Sequence, residues 1–216
     1  MKTPELIDAL AHDLTPVRRL RPPLQRAAGW VLVAAAVVAL LGVAHGVRSD
    51  LAQQLARPAY LVVIAASLGT GVLAAVASFF VSLPDRSWRW ALLPLPALLL
   101  WIASIGYQCL TQWVSVDAAG VQPGETLRCF ATVVLTSLPL SLALAIMLRH
   151  TALRPLAVTT TSGLAVAGFA ATALWLFHPL DASIMVLVWS VSTMALAVAA
   201  AAVVARRLCV LPHGAR

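Results

Sequence analysis

The sequence predicts an all-α, polytopic integral membrane bundle of six transmembrane helices, preceded by a short amphipathic cytoplasmic helix. Three observations carry this. The 216 residues are 61% hydrophobic and only 11% charged, against about 45–50% apolar and about 25% charged in an ordinary soluble domain. The mean hydropathy is +0.92. Apolar residues also come in runs of about 20, the helix length that crosses a hydrocarbon core about 30 Å thick.

The chain opens with "TPELIDALAHDL". Thr3 suits an N-cap, Pro4 the first helical position, and Glu5 the positive end of the helix dipole. Leu6, Leu10 and Leu14 recur every four residues with Ile7 and Ala11 beside them, which makes one apolar stripe. Glu5, Asp8 and Asp13 mark the other side, and Thr15-Pro16 ends the helix. A helix of about 11 residues is marginal alone in water, so its stripe must be buried against something. Helices that lie on anionic lipid are usually basic on the polar face. This one is acidic, which favours a partner protein's groove. "VRRLRPP" then forms a stiff, charged spacer ahead of the membrane.

Six spans follow, at roughly Ala27–Val47, Ala59–Val81, Ala91–Leu110, Leu127–Leu148, Leu156–Phe177 and Ile184–Val204. None has the alternating pattern of a barrel strand. The loops between them are too short to fold as domains. The chain therefore divides into a cytoplasmic segment, 1–26, a six-helix transmembrane domain, 27–205, and a cytoplasmic tail, 206–216.

Charge sets the orientation. With the N-terminus inside, Lys2, Arg18, Arg19, Arg21, Arg26, Arg86, Arg89, Arg149, Arg154, Arg206, Arg207 and Arg216 are cytoplasmic. Only Arg48, Arg57 and Arg128 are outside. That is the positive-inside pattern, and it accounts for the net charge of +7 without direct nucleic-acid binding. The first span is too long for the apolar region of a cleaved signal peptide, which runs about 7–15 residues. Trp30, Trp88, Trp90, Trp113 and Trp175 fall near span ends, where interfacial anchors belong. Trp101 and Trp189 lie deeper and are expected to pack inside. Small residues at fourfold spacing, Ser67, Gly71 and Ala75 in span two and Gly163, Ala167 and Ala171 in span five, predict close helix approach.

No span carries an ionisable residue at mid-depth, which argues against an ion-coupled transporter or proton relay. Ser137 and Ser141 have no histidine at their level to activate them and are expected to bond back to their own helix. A small-solute permease is the alternative reading, but the sequence offers little to line a polar path. An enzyme is not expected, and no cofactor is implied.

The outer face holds more chemistry. Cys109 ends span three and Cys129 begins span four, so the connecting hairpin brings them to one level. His178 and Asp181 occupy the hairpin between spans five and six, and His45 ends span one. Thiolate and imidazole suit zinc, cadmium or other thiophilic species. Two thiols in an oxidising compartment suit a disulfide. A cysteine is also simply a small buried hydrophobe, and all three readings stand. Cys209 is alone on the cytoplasmic side.

Several stretches together are more specific than hydropathy. "LIDALAHDLTPVRRLRPP", "LPDRSWRWALLPLPALLLW", "GYQCLTQW", "TLRCF", "SLPLSLALAIMLRHTALRPL" and "FHPLDASIMVLVW" run in order through the chain. It closely resembles the membrane anti-sigma factors known as negative regulators of sigma factor F. The resemblance implies an inner-membrane protein that holds an extracytoplasmic-function sigma factor inactive. It also implies release on redox or heavy-metal stress, with outward cysteines taking part. Leu6, Ile7, Leu10, Leu14, Arg18, Arg19 and Arg21 are then the candidate sigma-factor contacts, and Cys109, Cys129, His178 and Asp181 the candidate sensing residues. Some members place a cysteine beside the histidine of the last outer hairpin. Here Pro179 stands after His178, so the sensing set differs at that position.

Overall fold

The structure is a computed structural model that describes Thr3, His12 and residues 20–112, 123–149 and 154–177. The sixth expected span, Ile184–Val204, lies outside the described residues, as does most of the N-terminal amphipathic segment. Thr3 and His12 are helical and exposed.

All regular structure among the described residues is helical. The order is α1 (Pro23–His45), a short α2 (Leu51–Leu55), α3 (Pro58–Val81), a 3₁₀ helix (Trp88–Leu92), α4 (Leu95–Gln112), α5 (Pro123–Leu148) and α6 (Pro155–Phe177). Five helical segments are long and apolar enough to cross a membrane. A 23-residue helix such as α1 is about 35 Å long, enough for a bilayer core with some tilt.

Prolines set several boundaries. α1 and α3 each have proline in the first turn, where its missing N–H costs nothing. Pro94 and Pro96 interrupt the backbone ladder of the third span, since neither can donate to a carbonyl four residues back. The Leu93 N–H donates to the Trp90 carbonyl at 3.1 Å, and the Leu98 N–H to the Pro94 carbonyl at 2.9 Å. Trp88–Leu92 is a 3₁₀ helix ahead of α4, and the segment long and apolar enough to cross a membrane runs through both, Trp88–Tyr107.

α6 is the central helix. Val158, Thr161 and nearly every residue from Leu164 to Trp175 are buried. It packs along α3 and against α5. By contrast α1 buries only Ala27, Trp30 and Ala34, a stripe at three- and four-residue spacing. Its other faces present Leu32, Leu40 and Val43 outward. Leu99, Leu138, Leu142 and Ile146 are likewise exposed. Large apolar residues on the outside, with glycine, alanine and serine where helices meet closely, is an arrangement that hydrocarbon favours.

The closest approach is between α3 and α6. A Cβ built on Gly168 would lie 2.6 Å from the Gly71 nitrogen and 2.7 Å from the Ser67 carbonyl oxygen. Only glycine fits there. One turn further out, the hydroxyls of Ser67 and Thr172 meet at 3.0 Å. The span-two stripe of Ser67, Gly71 and Ala75 thus makes the close helix approach expected of it, against α6. In the span-five stripe Ala171 is buried in one cluster with Tyr60, Val63 and Ala66 of α3, while the backbone contact itself runs through Gly168, with Ala165 and Thr172 on either side.

Two tryptophans also correct their expected places. Trp30 is fully buried. Its indole N–H donates to the Leu140 carbonyl at 3.2 Å, and its ring meets Phe169 edge-on at 5.4 Å. Trp175 is buried too, edge-on to Tyr60 at 5.7 Å. Both are bundle cement rather than interfacial anchors: Trp30 sits on the narrow face that α1 turns inward, and Trp175 on a helix buried on most of its faces. Trp88 and Trp90 are exposed, and Trp101 is buried as expected.

Gly168→Ala should force α3 and α6 apart and cost about 1–3 kcal/mol, the usual range for overpacking. Gly106 has open space around it, so Gly106→Ala should be neutral or stabilising by up to about 1 kcal/mol through helix propensity. Thermal unfolding of the purified chain in mild detergent measures both. Equal effects would mean that α3 and α6 do not pack as described.

Candidate functional site

The long helices alternate in direction, so the chain ends up with two chemically distinct faces. Arg26, Arg86, Arg89, Arg149 and Arg154 gather at one end, with exposed Arg21 just ahead of α1. The other end holds the C-termini of α1, α4 and α6 and the N-termini of α3 and α5.

At this second end α1 stops at Gly46, whose φ of +77° is open to glycine but strained for other residues. The turn swings Arg48 back into the bundle, where it is buried. Its Nε and one terminal nitrogen donate to the two Asp50 oxygens at 2.6 and 2.8 Å, a bidentate pair. The Gln54 amide, one helical turn on, donates to the same carboxylate at 3.0 Å. The Arg48 backbone N–H donates to the Leu176 carbonyl at 3.2 Å, and the Tyr60 hydroxyl to the Trp175 carbonyl at 2.6 Å. The Arg48 guanidinium lies 5.7 Å from the Tyr60 ring centre. Together these groups clasp the last turn of α6, whose final carbonyls have no helical partner of their own. The hydrogen bonds from Arg48, and then from Gln54, hold the Asp50 carboxyl well below the usual carboxylate range. The same pairing raises the Arg48 guanidinium.

Cys109 and Cys129 are at this end. Cys109 is in the last turns of α4 and Cys129 in the second turn of α5. Cys109 is one turn beyond Ile105, and Cys129 one turn before Val133. Ile105 and Val133 pack in a single cluster with Tyr60, Trp101, Leu174 and Trp175. The two cysteine positions therefore continue, on their own helices, the register of residues that share one core. His178 and Asp181 lie outside the described residues, directly after the clasped end of α6. Leu6, Ile7, Leu10, Leu14, Arg18 and Arg19 also lie outside them, while Arg21 is exposed. Among the described residues, no three potential metal-ligating side chains come together.

Opposite the clasp, the basic end is tied by its arginines. Arg26 of α1 donates to the Met147 carbonyl of α5 and lies 5.1 Å from the Phe79 ring centre. Arg154 donates to the Arg86 carbonyl at 3.1 Å. Sequence reasoning placed Arg48 among ordinary outer charges and passed over Tyr60 and Pro139. The signals were present: Arg48, Asp50 and Gln54 are spaced for one carboxylate to meet both partners, and Pro139 interrupts a span.

Asp50's contribution is present above the unfolded carboxyl value of about 3.9 and is lost as pH falls through its lower folded value. Asp50→Asn should therefore lower the melting temperature at pH 7. The gap to the unsubstituted chain should hold from about pH 8 to pH 5 and close only below about pH 4. A gap that closed near pH 6 would assign the effect to another group.

No curated protein and no solved structure matches the chain. A family model described as negative regulator of sigma F, NrsF, matches residues 10–209. That stretch takes in every helix described above, both cysteine positions and, at its first residue, Leu10 of the N-terminal stripe. The chain belongs to the negative regulator of sigma F family.

Proposed function

We propose that this negative regulator of a sigma factor is a six-span inner-membrane protein with both termini cytoplasmic. It captures an extracytoplasmic-function sigma factor and releases it on redox or heavy-metal stress met at the outer face. The family match carries the reading, because it extends from within the N-terminal stripe across the whole bundle. The apolar exterior supports a bilayer as its medium. The charge asymmetry supports the orientation, and it is sharper than a count of arginines suggests, since Arg48 at the outer end is matched by Asp50. Backbone contact between Gly71 and Gly168 favours a regulator over a permease, since it closes the space between α3 and α6 to any solute.

In this function Leu6, Ile7, Leu10 and Leu14 bury their stripe against the sigma factor. Arg18, Arg19 and Arg21 meet its acidic groups. The protein acts by occupancy rather than catalysis. Cys109, Cys129, His178 and Asp181 meet the oxidant or metal. Release follows when that chemistry favours a second arrangement of the bundle.

Leu10→Asp puts a charge at the centre of the stripe. Truncating an interface anchor costs about 2 kcal/mol or more, and roughly 1.4 kcal/mol is tenfold in affinity. Capture should weaken by at least about tenfold. Target-promoter output should become constitutive at unchanged membrane abundance. Full repression by a normally abundant variant would remove the stripe from the capture surface.

The sensing assignment has its own test. The Cys109→Ser, Cys129→Ser double variant should lose the inducer response at normal membrane levels, and Cys209→Ser should keep it. A membrane-impermeant maleimide should label Cys109 and Cys129, but not Cys209, in intact spheroplasts. The opposite labelling would reverse the orientation. A full response in the double variant would return both residues to packing.

A further inference from the structure

A groove of about 300 Å³ lies between α5 and α6 at the basic end of the bundle. Arg149 forms its lip, and its walls are Leu144 and Leu148 of α5 and Val158 and Val166 of α6. It runs from Arg149 to Ser141 along one helix and from Val158 to Val166 along the other, about 12 Å at 1.5 Å per residue. Ser141 and Ala145 on its rim are exposed, so it opens sideways, toward the surrounding medium. Ser162 lines it too, and the Ser162 Oγ is buried without a hydrogen-bond partner. An orphaned buried hydroxyl costs free energy that a bound acceptor would recover.

The charge around the groove is one-sided. Among the described residues Arg149 pairs with no carboxylate. The one acid described at this end is Asp85, which is already 3.6 Å from the Arg86 guanidinium. A soluble anion would satisfy Arg149 but leave four aliphatic walls bare. A neutral chain would cover the walls but leave the cation without a partner. The ligand that meets both has an anionic head and an apolar tail.

We propose that this groove is a binding site for an anionic phospholipid, with the phosphodiester on Arg149 and the upper part of one acyl chain along Leu144, Leu148, Val158 and Val166. It goes beyond capture and sensing, and rests on the bilayer reading alone. A basic pocket between helices at the positive end of a membrane protein is where anionic headgroups collect. Within this reading, the lipid bridges the end of α5 and the start of α6, and Ser162 has an ester or glycerol oxygen within the groove to bond.

The test uses the full chain purified in mild detergent, exposed to equimolar phosphatidylglycerol and phosphatidylcholine and examined by native mass spectrometry. The chain should retain phosphatidylglycerol in excess. Arg149→Gln should cut that excess about fivefold, the equivalent of roughly 1 kcal/mol for one cation at the surface. Ala145→Phe should fill the groove and abolish it. Arg89→Gln, at the same end but outside the groove, should leave it unchanged. Helicity by circular dichroism identifies any variant that has failed to fold, and Arg149→Gln, a change at an exposed residue, keeps the test open should Ala145→Phe do so. Equal retention of the two lipids overturns the proposal. So does an equal loss in Arg89→Gln and Arg149→Gln, or a full excess in folded Ala145→Phe. Retention of no lipid also overturns it and leaves residues 184–204 as candidates to cover the groove. A chain absent from the membrane fraction would instead overturn the bilayer reading, whereas a membrane-bound chain without lipid preference overturns only the groove.

Discussion

The backbone contact between Gly71 and Gly168 sets the distance on which the other described helices are hung. In hydrocarbon no hydrophobic force draws helices together, so packing and interhelical hydrogen bonds must do so. Both depend on approach. The absence of side chains at these two positions brings α3 and α6 near enough for the Ser67 and Thr172 hydroxyls to meet. The hydroxyls have two protons between them, and three bonds compete for those protons: their mutual contact and the bonds back to the Ile64 and Gly168 carbonyls. The polar contact therefore supplements a lock that is mainly steric. The next layer depends on the same contact. A Cβ on Gly71 would lie 3.0 Å from the Phe169 ring. Its absence leaves room for that ring, which meets Trp30 at right angles, and the Trp30 indole reaches α5 at Leu140. Four helices are joined through one missing methyl pair.

The two ends are held by different chemistry. The clasp end uses an ion pair between a buried arginine and a partly exposed aspartate and hydrogen bonds to the free carbonyls of α6. The basic end uses arginines on backbone carbonyls, with no buried acid to balance them among the described residues. That difference suits the roles proposed for each end. In the proposed function, a fixed frame at the clasp end gives thiol chemistry something to work against. An unbalanced positive end leaves charge available for lipid and for an acidic partner.

Five of the spans were legible in the sequence because hydrophobic length alone selects them. Their ends were legible within a few residues, except where Pro94 and Pro96 split Trp88–Leu92 from α4. Which face turns inward was not legible. Trp30 and Trp175 sit near span ends by count, and only the three-dimensional stripe shows that each points into the core. Gly163 and Gly168 are equally small, and choosing between them needs the neighbour's backbone. The clasp escaped for a similar reason: nothing local in "RSDLAQQL" says that its arginine folds back beneath a tyrosine twelve residues later. Of the proposed capture and sensing residues, the sequence supplied chemistry and spacing. The structure adds register at Cys109 and Cys129.

That register bears on how a signal would cross the bundle. α3 and α6 are locked at backbone contact, so a switch that had to part them would work against the tightest packing in the described bundle. The helices carrying the cysteines are attached differently. α4 packs on α3, whereas α5 packs on α6 and α1. A bond or metal between Cys109 and Cys129 would therefore pull on opposite sides of the lock and move α5 against it. α5 is suited to yield, since Pro139 cannot donate to the Leu135 carbonyl and leaves a gap in the ladder at mid-helix. Its far end, the Met147 carbonyl, accepts from Arg26. Arg26 is in the first turn of α1, and ahead of it Pro22 and Pro23 stiffen the junction to the N-terminal segment. In the proposed function, displacement of α5 reaches that segment through one hydrogen bond and a rigid turn, while the centre of the bundle stays still.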